Sequence, residues 1–411
     1  MIAIFSLGVQ SNKILFDSGK IHIIKGEHKN LDISFPFSLD LSQEQEGIVQ
    51  TIYNEGEERG LKKSYNLNGI DEGSSELQLK LLGLIPVKNY DINVVNRPTL
   101  IPGGNAIGVR LNTKGVLVVA VTDVIDQNGK RHSPAKDAGL RVGDNIININ
   151  GIKVLDAQHV VEMLNDIEEN EVEIVVQRNK TEFETRTQPI KSIQDNCYRL
   201  GIWVRDKTSG IGTLTFLDNE TKEFGALGHG ITDMDTGDLL TVDKGNIMNA
   251  KIAKIEQGKR GTPGEIRGVF YETDNVLGSI NKNTSYGIYG DINEEYFETL
   301  NDNSISIGFK EEVKEGKAHI LTTVEEGNTE KFEIEIIKAS PQSKADQKSM
   351  VIRVTDEKLL NKTGGIVQGM SGSPIIQDDR LIGAVTHVFV NDPTKGYGIY
   401  IEWMMEQTNR P

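Results

Sequence analysis

The sequence predicts a mainly β, multidomain chain: a β-rich N-terminal region, a small α+β unit, and a C-terminal all-β domain of double-barrel type. Three observations carry this. Short segments near both ends alternate apolar and polar residues, the period of half-buried strands. The clearest helical spacing, Val160, Val161, Leu164 and Ile167 after a capping Asp156, falls in the middle of the chain. The 42 glycines against 11 prolines, without a three-residue period, mark many turns and exclude a collagen-like repeat. A length of 411 residues exceeds one compact domain.

Taken in order, residues 1–18 read as a residual leader or anchor-proximal segment. Their apolar start, Met1 to Val9, lacks the basic region of a signal peptide, and a buried first strand is the plainer reading. Residues 19–99 form the β-rich region, with strands expected at 20–24, 31–35 and 77–81 and a short helix over 42–53. Residues 100–188 form the α+β unit. Strands are expected at 106–111, 115–121, 146–151 and 171–176, with a short helix at 133–140 that has Ser133 as cap and Pro134 at its first position. Asn150-Gly151 is a hairpin signal. Residues 189–411 repeat short strands with glycine-rich turns and close on a short helix around Trp403 and Met404.

Composition narrows the function. The 60 acidic and 45 basic residues give a net charge of −15, a field that repels phosphate backbones and argues against nucleic acid. Cys197 stands alone, so neither an internal disulfide nor a cysteine-based metal site can be assembled. No run approaches the ~18 apolar residues of a membrane span. No H-E-x-x-H and no phosphate-cradling loop occurs, which disfavours a metalloprotease or an ATPase; neither metal nor cofactor is expected.

The run from Pro134 to Gly151, PAKDAGLRVGDNIININ and its closing glycine, resembles a PDZ domain of the circularly permuted bacterial kind. Such a domain binds a peptide or C-terminal segment as an added strand between a strand and a helix. The expected groove strand is Ile107, Gly108 and Val109, and the helix wall Val160 and Leu164.

Two loops carry the chemistry. In Gly369-Met-Ser-Gly-Ser-Pro374, glycines frame Ser371 on a tight turn and let the N–H groups of Gly369 and Ser371 converge on one point, as an oxyanion hole requires. The loop resembles the nucleophile loop of chymotrypsin-like serine proteases, with Met370 and Ser373 as departures; Ser373 is the alternative nucleophile. A serine needs a base. His229, between Gly228 and Gly230, is the candidate, with His387 the rival. Spacing leaves the orienting acid open among Asp233, Asp235, Asp238, Asp274 and Asp356.

Longer words point further. The stretches 210–216, 224–237, 364–376 and 383–393, with 82–88 and 101–104 upstream, resemble the stage IV sporulation protein B (SpoIVB) peptidases of endospore-forming bacteria. The resemblance implies a PDZ-containing, self-cleaving serine endopeptidase exported from the forespore to the intermembrane space and tethered to the membrane. It would cleave a membrane-associated protein of a sigma-factor processing complex, leading to pro-sigma-K processing, with self-association in trans and no cofactor. It places the triad on Ser371, His229 and Asp356. A non-catalytic PDZ adaptor and an exported structural β protein are the competing readings.

Overall fold

The structure, a computed structural model, describes residues 20–41, 47–53, 62–179, 181–270, 276–299, 303–325 and 327–409. It divides into two compact units, Met1–Pro98 and Thr99–Pro411. Residues 1–18 lie outside the described part.

Among its described residues the first unit is all β. Four strands pair in the order Lys20–Ile24, Ile85–Val95, Gly73–Leu81, Phe37–Leu41, and three more in the order His28–Ser34, Lys62–Gly69, Val49–Tyr53. Their alternation drives Leu31, Ile33, Leu67, Leu77, Leu79 and Ile92 into one core. The helix expected over 42–53 is corrected: Val49–Tyr53 is a strand, and 42–46 lie outside the described residues. The β-branched Val49, Thr51 and Ile52 favour that outcome.

The second unit holds two barrels. Gly316–Glu325, Asn328–Ala339, Met350–Val354, Lys395–Tyr400, Arg380–Val388 and Pro374–Gln377 close into one. The other is a ring of Ala106–Val121, Val242–Asn249, Val276–Thr284, Gly287–Ile292, Glu223–Ala226 and Ile202–Leu217, closed by pairing of the last strand with the first. The chain is thus mainly β, with a chymotrypsin-like double barrel and an α+β PDZ segment. Helix Ile401–Met405 packs Trp403 and Met404 into the second barrel's core.

The barrels do not begin at residue 189. Ala106–Val121 and Ile202–Leu217 are single strands of 16 residues each, and each belongs to both domains. Ile107 to Leu111 pair within the barrel; Leu117 to Val121 pair with 202–205 in the PDZ segment. The PDZ domain is therefore inserted into the first barrel on a two-stranded ribbon. The words 106–111 and 115–121 look like two strands because Asn112-Thr-Lys-Gly115 looks like a turn. Gly115 instead carries the strand past Ile146: its φ is +74°, and a Cβ there would stand 2.1 Å from the Ile146 carbonyl oxygen.

Within the insertion, Asn145–Ile149, Val172–Arg178 and Thr181–Thr187 form the sheet. Asn150 and Gly151, both at positive φ, make the expected tight turn into Ile152–Lys153. Helix Ala157–Ile167 is capped by Asp156, whose carboxylate accepts the His159 N–H at 2.8 Å.

Candidate active site

Ser371 sits on a loop that backbone hydrogen bonds hold on every side. The Gln368 carbonyl accepts the Ile266 N–H at 2.8 Å, and the Met370 carbonyl accepts the Ser373 N–H at 3.0 Å. Those carbonyls belong to the peptide planes that carry the N–H groups of Gly369 and Ser371. Both N–H groups are left without an acceptor among the described residues. Gly369 and Gly372, at φ +98° and +96°, permit the turn. Strand Ile202–Leu217 clamps it: Thr213 donates its N–H to the Ser371 carbonyl at 3.0 Å and its hydroxyl to the Gly369 carbonyl at 2.8 Å. Met370, the departure from the protease loop, is fully buried in the second barrel's core and anchors the turn there. The alternative nucleophile is excluded by burial, since Ser373 Oγ is enclosed and has no partner.

His229 follows Glu223–Ala226 of the first barrel. Asn283 secures the start of its loop, accepting the Ile231 N–H at 2.9 Å and donating to the carbonyls of Ile231 and Leu240 at 2.8 and 2.9 Å. His229 Nδ1 lies 2.9 Å from the Gly230 carbonyl oxygen, which suits an N–H there and leaves Nε2 as the basic nitrogen. Burial pushes the His229 pKa below its usual value, partly opposed by the Gly230 carbonyl. His387, on Arg380–Val388, packs tilted beside it with ring centroids 5.0 Å apart and its Nδ1 unpartnered. Its pKa falls to about 4, mainly from burial, then from His229 and Lys348. Two neutral imidazoles thus face one cleft.

That cleft, about 870 Å³, is lined by His229, His387, Ser371, Gly369 and Ile211 among others. Ser371 Oγ donates to the Thr386 carbonyl at 2.8 Å, so the hydroxyl turns toward Thr386 rather than toward an imidazole. The loops framing Ser371 and His229, 142 positions apart in sequence, meet here between the barrels.

Other expected residues fall elsewhere. Asp356 caps helix Glu357–Thr363: its carboxylate accepts the N–H of Leu359 at 3.0 Å and of Glu333 at 3.3 Å, and it does not line the cleft. Asp274 lies outside the described residues. Asp233 and Asp235 pair with Arg205. No carboxylate among the described residues bonds to His229.

The expected groove strand is also corrected. Ile107, Gly108 and Val109 lie inside the first barrel, paired on one side with 210–212 and on the other with 247–249. Neither edge can take a peptide. Val160 and Leu164 do lie on the PDZ helix, buried in a core with Tyr198 and Leu200 and with Ile202 and Val204 packed against it. Beside that helix runs 202–205, which pairs only with Ala106–Val121 and keeps its other edge open among the described strands. An open strand edge beside a helix is the arrangement in which a PDZ domain takes an added strand. The sequence signal for this strand is Leu200-Gly-Ile202, a glycine at φ +74° opening a strand next to the helix.

Sequence comparison matches 196–405, about half of the chain, to the family described as SpoIVB peptidase S55, and 126–178 to the PDZ domain family. Two solved structures of the surface-layer protein SbsC are weakly similar. Domains 5–6 give a TM-score of 0.17 at 13% identity over 50% of this chain and 96% of that one. Domains 4–9 give 0.17 at 10% identity over 93% and 81%. At those TM-scores the likeness carries no argument.

Proposed function

The chain belongs to the SpoIVB peptidase S55 family, whose members are serine peptidases, and on that premise we propose that it is an endopeptidase in which Ser371 attacks, His229 transfers the proton, and the N–H groups of Gly369 and Ser371 hold the oxyanion. The observation that carries this is the pair of acceptor-free N–H groups flanking Ser371 in the cleft that also contains His229.

An extended peptide enters between the barrels. Ser371 Oγ leaves the Thr386 carbonyl and turns to His229 Nε2, a rotation that substrate binding commonly completes. As Oγ bonds to the substrate carbonyl carbon, its proton passes to His229, and the carbonyl electrons move onto the oxygen facing the two N–H groups. His229 then protonates the departing amine, and water releases the acyl group by the same route in reverse. A low pKa keeps His229 neutral, hence ready to accept a proton, near neutral pH.

The PDZ domain supports recognition of a peptide or a C-terminal segment. Family membership supports a role in sporulation, and the specific steps follow from it as proposals: export to the space between the forespore membranes with a membrane tether, cleavage of a membrane-associated protein that controls sigma-factor processing, and self-cleavage between copies. The direct test is incubation of purified chain, with and without Ser371→Ala, followed by mass analysis. Self-cleavage by the parent and none by the variant is expected; equal cleavage by both refutes the reading.

A further inference from the structure

Two consecutive residues of the shared strand Ile202–Leu217 reach different domains. Arg205 donates to the Asp233 carboxylate and, at 2.7 Å, to Asp235. The Asp233 side chain is wholly buried and also accepts the N–H groups of Asp235 and Thr236, each at 2.9 Å. It organises the turn that begins four residues after His229. Despite burial, which raises it, the Asp233 pKa is low because those N–H groups and Arg205 favour the carboxylate. Asp206 looks the other way: its carboxylate accepts the N–H of Ala157, the first residue of the PDZ helix, at 3.1 Å. A register shift between Arg205 and Lys207 leaves Asp206 outside the ladder, which lets successive side chains depart in different directions.

The histidine loop therefore has two anchors. Asn283 fixes its two ends, Ile231 and Leu240, to the barrel. Arg205 fixes its 233–236 limb to the ribbon that carries the PDZ domain. Farther along the same strand, Thr213 fixes the Ser371 loop.

We propose that Arg205 and Asp206 are positioning residues that join the PDZ helix to the His229 loop, so that displacement of the helix changes the setting of the imidazole. The consequence for catalysis rests on the serine-peptidase reading; the mechanical link does not. The open strand edge at 202–205 lies on this same segment, so a peptide seated there sits directly on the link.

The test uses the full chain with Arg205→Gln, Arg205→Lys, Asp206→Ala, which removes the acceptor of the Ala157 N–H, and, as a control on an exposed face of the same helix, Asp166→Asn. One readout is the His229 ring NMR signal at fixed pH; the other is the rate of fluorophosphonate labelling of Ser371. The His229 signal is expected to move in Arg205→Gln and in Asp206→Ala, although Asp206 does not line the cleft, and to stay in place in Asp166→Asn. Labelling should fall about 10- to 100-fold in Arg205→Gln, the scale of a misplaced catalytic group, and recover in part in Arg205→Lys. Should Arg205→Gln not fold, Asp235→Asn replaces it, since Asp235 is half exposed and removes only the outer contact. An unmoved His229 signal in the folded variants overturns the proposal whatever the labelling does. A parent chain that does not label refutes the serine-peptidase reading and leaves the NMR result to decide the link.

Discussion

Thr213→Val isolates the clamp on the oxyanion loop. Valine keeps nearly the same volume and the β-branched shape of the strand, and the backbone N–H still reaches the Ser371 carbonyl. What disappears is the hydroxyl that donates to Gly369 O at 2.8 Å, from a side chain only 2% exposed. A buried carbonyl left without its donor costs about 1–3 kcal/mol, so urea unfolding should lose that much. Gly369 stands at φ +98°, where a glycine has alternatives, and an unheld carbonyl lets its neighbouring peptide planes rotate. Loss of one oxyanion donor costs about 10²–10³ in rate. Thr213 acts through the loop rather than on the substrate, so a fall of roughly 10- to 100-fold is expected, equally in kcat and kcat/KM. The assay is peptide hydrolysis alongside unfolding on the same preparation. A stability loss of the expected size with unchanged kcat would show that the loop keeps its shape unaided, and the positioning argument would fail.

Further perturbations test other parts of the account. Gly108→Glu is expected to disrupt the first barrel and abolish labelling, because a Cβ there would stand 2.3 Å from the Phe270 ring; a folded, labelling variant would contradict the strand placement. Arg178→Met leaves Asp144, 1% exposed, without its bidentate partner, and should cost about 3–5 kcal/mol in the PDZ segment by urea unfolding. Asp356→Ala should cost about 1 kcal/mol as a lost helix cap, and Asp356→Asn only a few tenths; loss of hydrolysis in the well-capped Asn variant would give the carboxylate the orienting role implied by resemblance. His229 and His387 both have pKa values below the ordinary 6.5, His387 at about 4. Below pH 6.5 the unfolded chain then binds more protons than the folded one, so stability should hold above that pH and fall as pH drops toward 4. The acid limb of hydrolysis should likewise lie below 6.5, read from a pH–rate profile.

Much of this architecture is legible in local pattern. Alternation places the strands, Asn150-Gly151 places a hairpin, and glycines around His229 and Ser371 mark the loops that the barrels bring to one cleft. What escapes is non-local. Ala106–Val121 reads as two strands because nothing within 112–115 says that the chain runs straight on, and only its pairing with Ile202–Leu217 shows that both domains share it. The groove strand is not legible for the same reason: two glycine-led strands look alike in sequence, and the one beside the helix is 202–205. Asp356 carried a visible local alternative, since an aspartate opening Glu357-Lys-Leu-Leu360 is a helix-cap signal. The contacts of Thr213, Met370 and Arg205 join distant segments, and no local pattern announces them.

The central claim, that Ser371 is the activated nucleophile, is tested most directly by fluorophosphonate labelling of the purified full chain followed by peptide mapping. The account predicts one tagged residue, Ser371, with labelling lost in His229→Ala even though the hydroxyl is intact. A tag on another serine, or undiminished labelling of Ser371 without His229, would contradict it.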